Sequence, residues 1–532
     1  MTAGETARAI QLLTKALTFE ENSASPDARE LLGLARQKNG QLAHAKAEYE
    51  EYLKRYPDGD GASRVRQRLS ALLTAGKAAP PELRDGPATG AGKFVKRLTA
   101  SLSQFYQRDE STITLEQPNL APDPDTQVNR NALISGADIT ASISNDRVDA
   151  SLRVSATHTK DFEDSSRGDF GTISALYSDI ADRATRLATR IGRQTRSTGG
   201  VLGRFDGALV SFDATEKIRV NVVGGAPVIR SRDLFVDPSR RFVGASVDIN
   251  QIVKGLDTTV YFIHQKVDDL IDRQAAGVEF RFVDNHHTAF GLIDYDTFYD
   301  TLNLALFNGS WRLEDETTFN VAFDYRYSPA LMTIDALQGQ GVETISDLRS
   351  LFSDGDLYFL AEAHAARTTS GSFTVSRPVT EKFQANGGIT FSNMAPTIDA
   401  GGVQGQLGTG VDVFYSAQIL GTSLLTEGDL MMFGVRLDDT STAQRYVIDL
   451  NTRYPFSRKF RVSPRLRISQ RNSKTVDQTQ FTVKPSVRIN YIPKRLFQLE
   501  LEAGGEWTQT NNVLDTEYVK GYFLIGGYRL DF

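Results

Sequence analysis

The chain has 532 residues, 40% hydrophobic and 24% charged, with a formal net charge of −6. No stretch approaches the ~20 consecutive apolar residues of a membrane-spanning helix, and the slightly acidic balance offers no electrostatic footprint for nucleic acid. Cysteine is absent, which excludes disulfides and cysteine-ligated metals.

Residues 5–75 read as helix, and 1–75 are expected to form a short α-helical segment. The stretch from Ala28 to Pro57 resembles a tetratricopeptide repeat, with Leu32-Gly33, Ala45, Tyr49 and a closing Pro57 at the family spacing. Ala9, Leu13 and Ala16 match the second helix of a preceding unit whose first helix is missing. Met1 to Glu5 has neither the basic start nor the apolar run of a signal peptide. The expectation is that the chain begins inside a repeat, with a signal peptide and further repeats upstream.

Residues 76–95 form a linker, rich in Ala, Pro and Gly up to Gly92 (Pro80-Pro81, Gly86-Pro87). From 96 to 532 the hydrophobic period becomes two. Phe319, Val321, Phe323, Tyr325 and Tyr327 share one face, and Asn320, Ala322, Asp324 and Arg326 the other. Short polar turns such as Asn145-Asp146 and Asp284-Asn285 alternate with longer loops, read at 112–130, 226–239, 328–366 and 393–409. The last strand ends in Tyr528, Leu530 and Phe532 on one face, a terminus suited to the barrel-assembly machinery. These features predict a mostly β fold, a transmembrane antiparallel barrel of about 16–22 strands in the bacterial outer membrane, bathed in its lipid. An even count puts both termini, and the helical segment, on the periplasmic side.

This layout resembles the outer-membrane export porins of the cellulose and poly-N-acetylglucosamine systems. It is also similar to surface-lipoprotein assembly modifiers, and to proteobacterial repeat-plus-barrel proteins carrying segments such as Ile191-Gly192-Arg193-Gln194, Gly203 to Gly207 and Ala365-Ala366-Arg367-Thr368. The first resemblance implies export of an exopolysaccharide, with periplasmic synthase partners gathered by the repeats. The second implies lipoprotein or protein clients, and a passive porin is the remaining alternative.

Alternation places a basic patch on the lumenal face: Arg445 and Arg453, then Arg461, Arg465, Arg467 and Arg471, then Lys484 and Arg488. Glu500, Glu502 and Glu506 follow on the next strand. Neighbouring strands lie ~4.8 Å apart, so these charges form one wall. Arg186, Arg190 and Arg193, with Arg204 across the turn 197–203, read as a second lumenal group. Within the loop 328–366, Ile345, Leu348, Leu351 and Phe352 have helical spacing and suggest a lid or inward constriction. The six His are dispersed, and no motif points to an enzyme, a metal or another cofactor.

Overall fold

The computed structural model describes residues 25–38 and 42–56, scattered positions elsewhere before 70, and 94–532 except 119–120, 164–167, 230–231 and 329. Two helices, α1 (Ser25–Lys38) and α2 (Leu42–Arg55), pack side by side. Their contact buries Ala28, Leu32, Ala45 and Tyr49. A Cβ on Gly33 would come within 2.3 Å of the Tyr49 ring, so only glycine lets the helices approach this closely. Arg29 and Glu48 close the contact at 2.9 Å. The described residues hold one complete helix pair and no repeat array. Of the preceding half-unit Ala9 and Leu13 are described and Ala16 is not, and most of the linker falls outside the described residues.

Twenty-two antiparallel strands follow, from β1 (Val95–Glu116) and β2 (Asp123–Ser144) to β22 (Thr516–Asp531), at the top of the range expected. Each pairs with its sequence neighbours, and β1 closes on β22 from Ser101↔Asp531 to Glu116↔Thr516. Tyr528 and Leu530 lie opposite Gln104 and Leu102, while Phe532 and Ala100 exchange backbone hydrogen bonds of 2.8 and 3.3 Å. Closure leaves no open sheet edge, the condition for a β structure in lipid.

Side chains alternate between two solvents. On β18 (Ala443–Pro455), the neighbour of β19 (Phe460–Ser473), Tyr446, Ile448 and Leu450 are exposed outward while Val447 is buried. Exposed Leu98, Ile180, Phe212, Phe262, Ile293, Phe323, Phe433 and Trp507 continue this outer apolar band around the ring. No helix among the described residues is long and apolar enough to cross a membrane; the closed ring with its outer apolar band has the build of an outer-membrane barrel.

One rim carries short turns. The other carries the connections 197–202, 228–239, 329–365 and 395–409. The expected loop at 112–130 is instead a continuation of β1 and β2, joined only by 117–122. Thr112 faces Thr126, with hydroxyls 2.9 Å apart, and Asn129 donates to Asp109 and Ser111. Both faces are polar here, so no period-two signal marks the strand.

The wall narrows to a row of glycines where Gly192, Gly207 and Gly225 pair across β5 (Leu187–Arg196), β6 (Gly203–Asp213) and β7 (Ile218–Pro227). A Cβ on Gly207 would lie 2.1 Å from the Gly224 carbonyl oxygen, whereas one on Gly203 meets nothing within 4 Å. Gly207→Val should therefore destabilise the barrel by about 1–3 kcal/mol, read as a lower unfolding temperature, with Gly203→Val far milder. Equal effects would contradict this reading.

Candidate functional site

The lumen is the candidate site. Strand register fixes its basic wall, formed by β18, β19, β20 (Thr479–Lys494) and β21 (Phe497–Asn511). Asp449 lies opposite Arg467, and Arg467 opposite Lys484. Arg467 donates to Asp449 at 2.8 Å, and Lys484 reaches Glu506 at 2.7 Å. Farther along, Arg488 donates through Nε to Glu502 at 2.6 Å and lies 3.5 Å from Glu500, while Arg465 reaches Glu502 at 3.4 Å. All eleven charges assigned to these four strands share the lumenal face.

The wall is not fully neutralised. Within these strands its eight Arg and Lys face Asp449, Glu500, Glu502 and Glu506, and Asp438 on β17 (Leu430–Asp439) lies opposite Arg445 while paired with Arg436 at 2.8 Å. Arg445 and Arg471 are direct cross-strand neighbours near the long-loop rim. Arg445 donates to the Ser469 hydroxyl at 3.4 Å, and Arg471 to the Gln478 side-chain Oε1 at 3.0 Å. Like charges side by side repel, and neither of these two makes an ion pair among those of the described residues. At the short-turn end, Arg461 pairs with Asp27 of α1 at 3.2 Å, which brings the helix pair to that mouth of the barrel. Arg453 buries an Nε that has no hydrogen-bond partner.

Two connections fold into the lumen from the long-loop rim. The first is 197–202. Gly199 donates its backbone N–H to Glu279 at 2.6 Å, and Arg273 donates to the Gly200 carbonyl at 2.9 Å. Gly199 and Gly200 have φ of 63° and 79°, a region that glycine enters without cost. Arg273 also pairs with Asp294, which accepts from the Tyr261 hydroxyl at 2.6 Å, and the Arg273 and Asp294 side chains are almost wholly buried. Val201 packs with Phe205, Val223, Phe242, Ile263 and Ala275 on the inner wall.

The second is 329–365. It contains a 3-10 turn (Thr333–Leu337), α3 (Ile345–Arg349) and α4 (Asp354–His364), with Thr344 and Ser353 as N-caps. Leu331, Ile345, Leu348, Leu357 and Leu360 form a core with Val267 and Leu270, which belong to the inward faces of β9 (Leu256–Val267) and β10 (Leu270–Val283). The Ile334 N–H donates to Asp272 at 2.9 Å, and the Leu331 N–H to Asn303 at 3.1 Å. Both acceptors are fully buried. Because the partners are lumen-facing and lie at the strand ends, the segment packs on the inner side of the long-loop rim and not on the outer wall. The 395–409 connection stacks on it, with His364 Nε2 3.4 Å from the Ala400 carbonyl.

The second basic group does not assemble. Arg190 is lumenal, donates to Asp179 at 2.6 Å and lies 4.5 Å over the Tyr177 ring. Arg186 sits exposed in the turn between β4 (Phe170–Asp182) and β5, at φ 57°. Arg193 and Arg204 fall on the opposite parity, with the exposed Ile191, Val210 and Phe212, and so face outward. Alternation counted from Ile191 places Arg193 outward, but the cluster of Arg in the sequence obscures it. The inner latch of Arg273, Asp294, Tyr261 and Glu279 escaped the sequence reading, and the Gly199-Gly200 pair is its one local sign. Among the described residues no group of three or more His, Asp or Glu could hold a metal ion.

No protein-family profile and no curated protein matches the chain. Solved structures similar to it include Pseudomonas aeruginosa OccK2 in complex with glucuronate, at 10% identity and TM-score 0.34, covering 81% of this chain and 98% of that one. A BenF-like porin from Pseudomonas fluorescens aligns at 10% identity and TM-score 0.38, covering 82% and 99%. Pseudomonas aeruginosa OccD3 aligns at 10% and 0.35, covering 83% and 93%. Likeness at these scores assigns neither family nor substrate.

The inward loop should respond to pH. Burial pushes the Asp335 carboxyl up to about 7, reinforced by nearby Asp272 and opposed by the Met332 N–H, Gln338 and Arg240. Protonation thus favours the seated loop: the gain is complete below the ordinary carboxylate value of ~4 and is lost as pH rises through about 7. Single-channel recordings should show rarer loop openings at about pH 5 than at about pH 8, and Asp335→Asn should remove the difference. A pH response that survives in the variant would contradict this assignment.

Proposed function

We propose that the chain is a passive outer-membrane diffusion channel for small solutes, with a preference for anions. The observation that carries this reading is the surplus of guanidinium groups on the lumenal wall, above all the adjacent Arg445 and Arg471, across the ring from the inward loop 197–202. Fixed cations lining a narrowed pore raise the local concentration of anions and lower their barrier to passage. The carboxylates of β21 hold Lys484, Arg465 and Arg488 against the wall and keep the lumen wet. Under this reading the short-turn rim faces the periplasm. The segment ending in Phe532 is the part we assign to the barrel-assembly machinery.

Export of an exopolysaccharide loses its support. Two inward connections are held by buried partners where a polymer would need a clear path. Lipoprotein handling has no specific feature in the lumen to favour it.

The test is a planar-bilayer measurement of reversal potential across a potassium chloride gradient. The wild-type channel should select chloride over potassium. Arg445→Gln combined with Arg471→Gln should lower that preference by roughly threefold or more, with folding unchanged because both side chains reach water. A cation-selective wild type, or selectivity indifferent to the double variant, would refute the reading. Deleting 338–360 should raise conductance, and an unchanged value would show that this loop does not limit flow.

A further inference from the structure

One connection folds the other way. On β5 and β6, Ile191 is 60% exposed on the outer wall, and Arg193 and Asp206 share its face. Asp206 accepts from Arg193 Nε at 2.8 Å and Nη2 at 2.7 Å. An ion pair at this place would be costly against lipid, yet Arg193 is only 4% exposed. The cover is the 228–239 connection between β7 and β8 (Arg240–Val253): Arg193 Nη1 donates to the Asp233 carbonyl at 2.5 Å. Arg232 pins the connection to the rim, its guanidinium 3.7 Å over the Phe170 ring.

The connection presents Ile229, Leu234, Phe235 and Val236 outward, with Phe235 87% exposed. Beneath it runs a groove of about 510 Å³ against the outer wall, lined by the apolar Ile173, Leu176, Ile191, Ala208, Leu234 and Val236, with the nearly buried Arg193–Asp206 pair also in its lining. Arg204 is two residues from Asp206 on the same outward face of β6. Its Nε is buried without a hydrogen-bond partner, and among the described residues it makes no ion pair.

We propose that this connection is a flap seated in the membrane leaflet on the long-loop side, and that the groove beneath it holds an acyl chain of an anionic lipid whose headgroup is met by Arg204. A contiguous exposed apolar patch of this kind marks a membrane or partner contact, and the groove lies against the outer wall. The unpaired guanidinium at its polar end supplies charge complementarity that a zwitterionic lipid satisfies less well. The Ile191 to Gln194 and Gly203 to Gly207 segments then have a role: they fasten the flap.

The chain has no cysteine, so Phe235→Cys accepts a single nitroxide label. In phosphatidylglycerol vesicles its collision rate with oxygen should exceed that with a water-soluble nickel chelate several-fold. The reverse ratio would overturn the seating, and strong dipolar broadening between labels would overturn it too, by making the flap a contact between copies. Native mass spectrometry of the extracted barrel should show phosphatidylglycerol retained in preference to phosphatidylcholine. Ala208→Phe should abolish that retention, and Arg204→Gln should remove the preference while leaving the label in lipid. Equal retention of the two lipids by the wild type would overturn the site.

Discussion

Closure of β1 on β22 is the constraint on which everything else depends. A backbone in hydrocarbon must satisfy every N–H and C=O internally, and a sheet does so only as a ring. Once the ring is closed, strict alternation assigns each side chain to lipid or to lumen, and a slip of one residue would exchange the two sets. The register is continuous through β18 to β21 apart from the shift beside Lys494, so the Arg and Glu columns are held to one face by backbone pairing.

The loops divide according to the solvent they meet. Segment 197–202 and the longer 329–365 bring backbone and apolar groups to lumen-facing partners, and the segment 228–239 lays its carbonyl on an outward-facing Arg193. In each case a charged side chain of the wall is satisfied by loop backbone, as Glu279 is by Gly199, Asp272 by Ile334 and Arg193 by Asp233. Buried charges need such partners, so the wall and the loops specify each other. Under the proposed function, the ring supplies a broad pore, the inward loops set how much of it is open, and the cationic wall opposite decides what the remainder favours.

Much of this was legible in the sequence where the two solvents differ. The alternation on β13 (Thr318–Ser328), β19 and β20 shows which residues face lipid, and the lumenal Arg and Glu columns follow from it. The ends of β1 and β2 were not legible, because both their faces meet water and the pattern vanishes. The six-residue segment 197–202 looked like a turn, since its purpose lies in a bond to Glu279, 80 residues away. Arg193 and Arg204 were misplaced because an outward arginine is implausible until the covering segment is seen. The helix pair was legible from Gly33 and Tyr49, whose close contact requires that glycine.

The central claim is that register alone sorts the residues of the basic wall between water and lipid. The direct measurement is a single-cysteine scan along β19, from Phe460 to Gln470, in a chain otherwise free of thiols. Arg461, Ser463, Arg465, Arg467 and Ser469 should react, once replaced, with a charged, membrane-impermeant thiol reagent. Phe460, Val462, Leu466 and Ile468 should react only with a lipid-soluble one. Reactivity that fails to alternate, or that alternates in the opposite phase, would contradict the lumenal assignment of the arginine wall and the channel built on it.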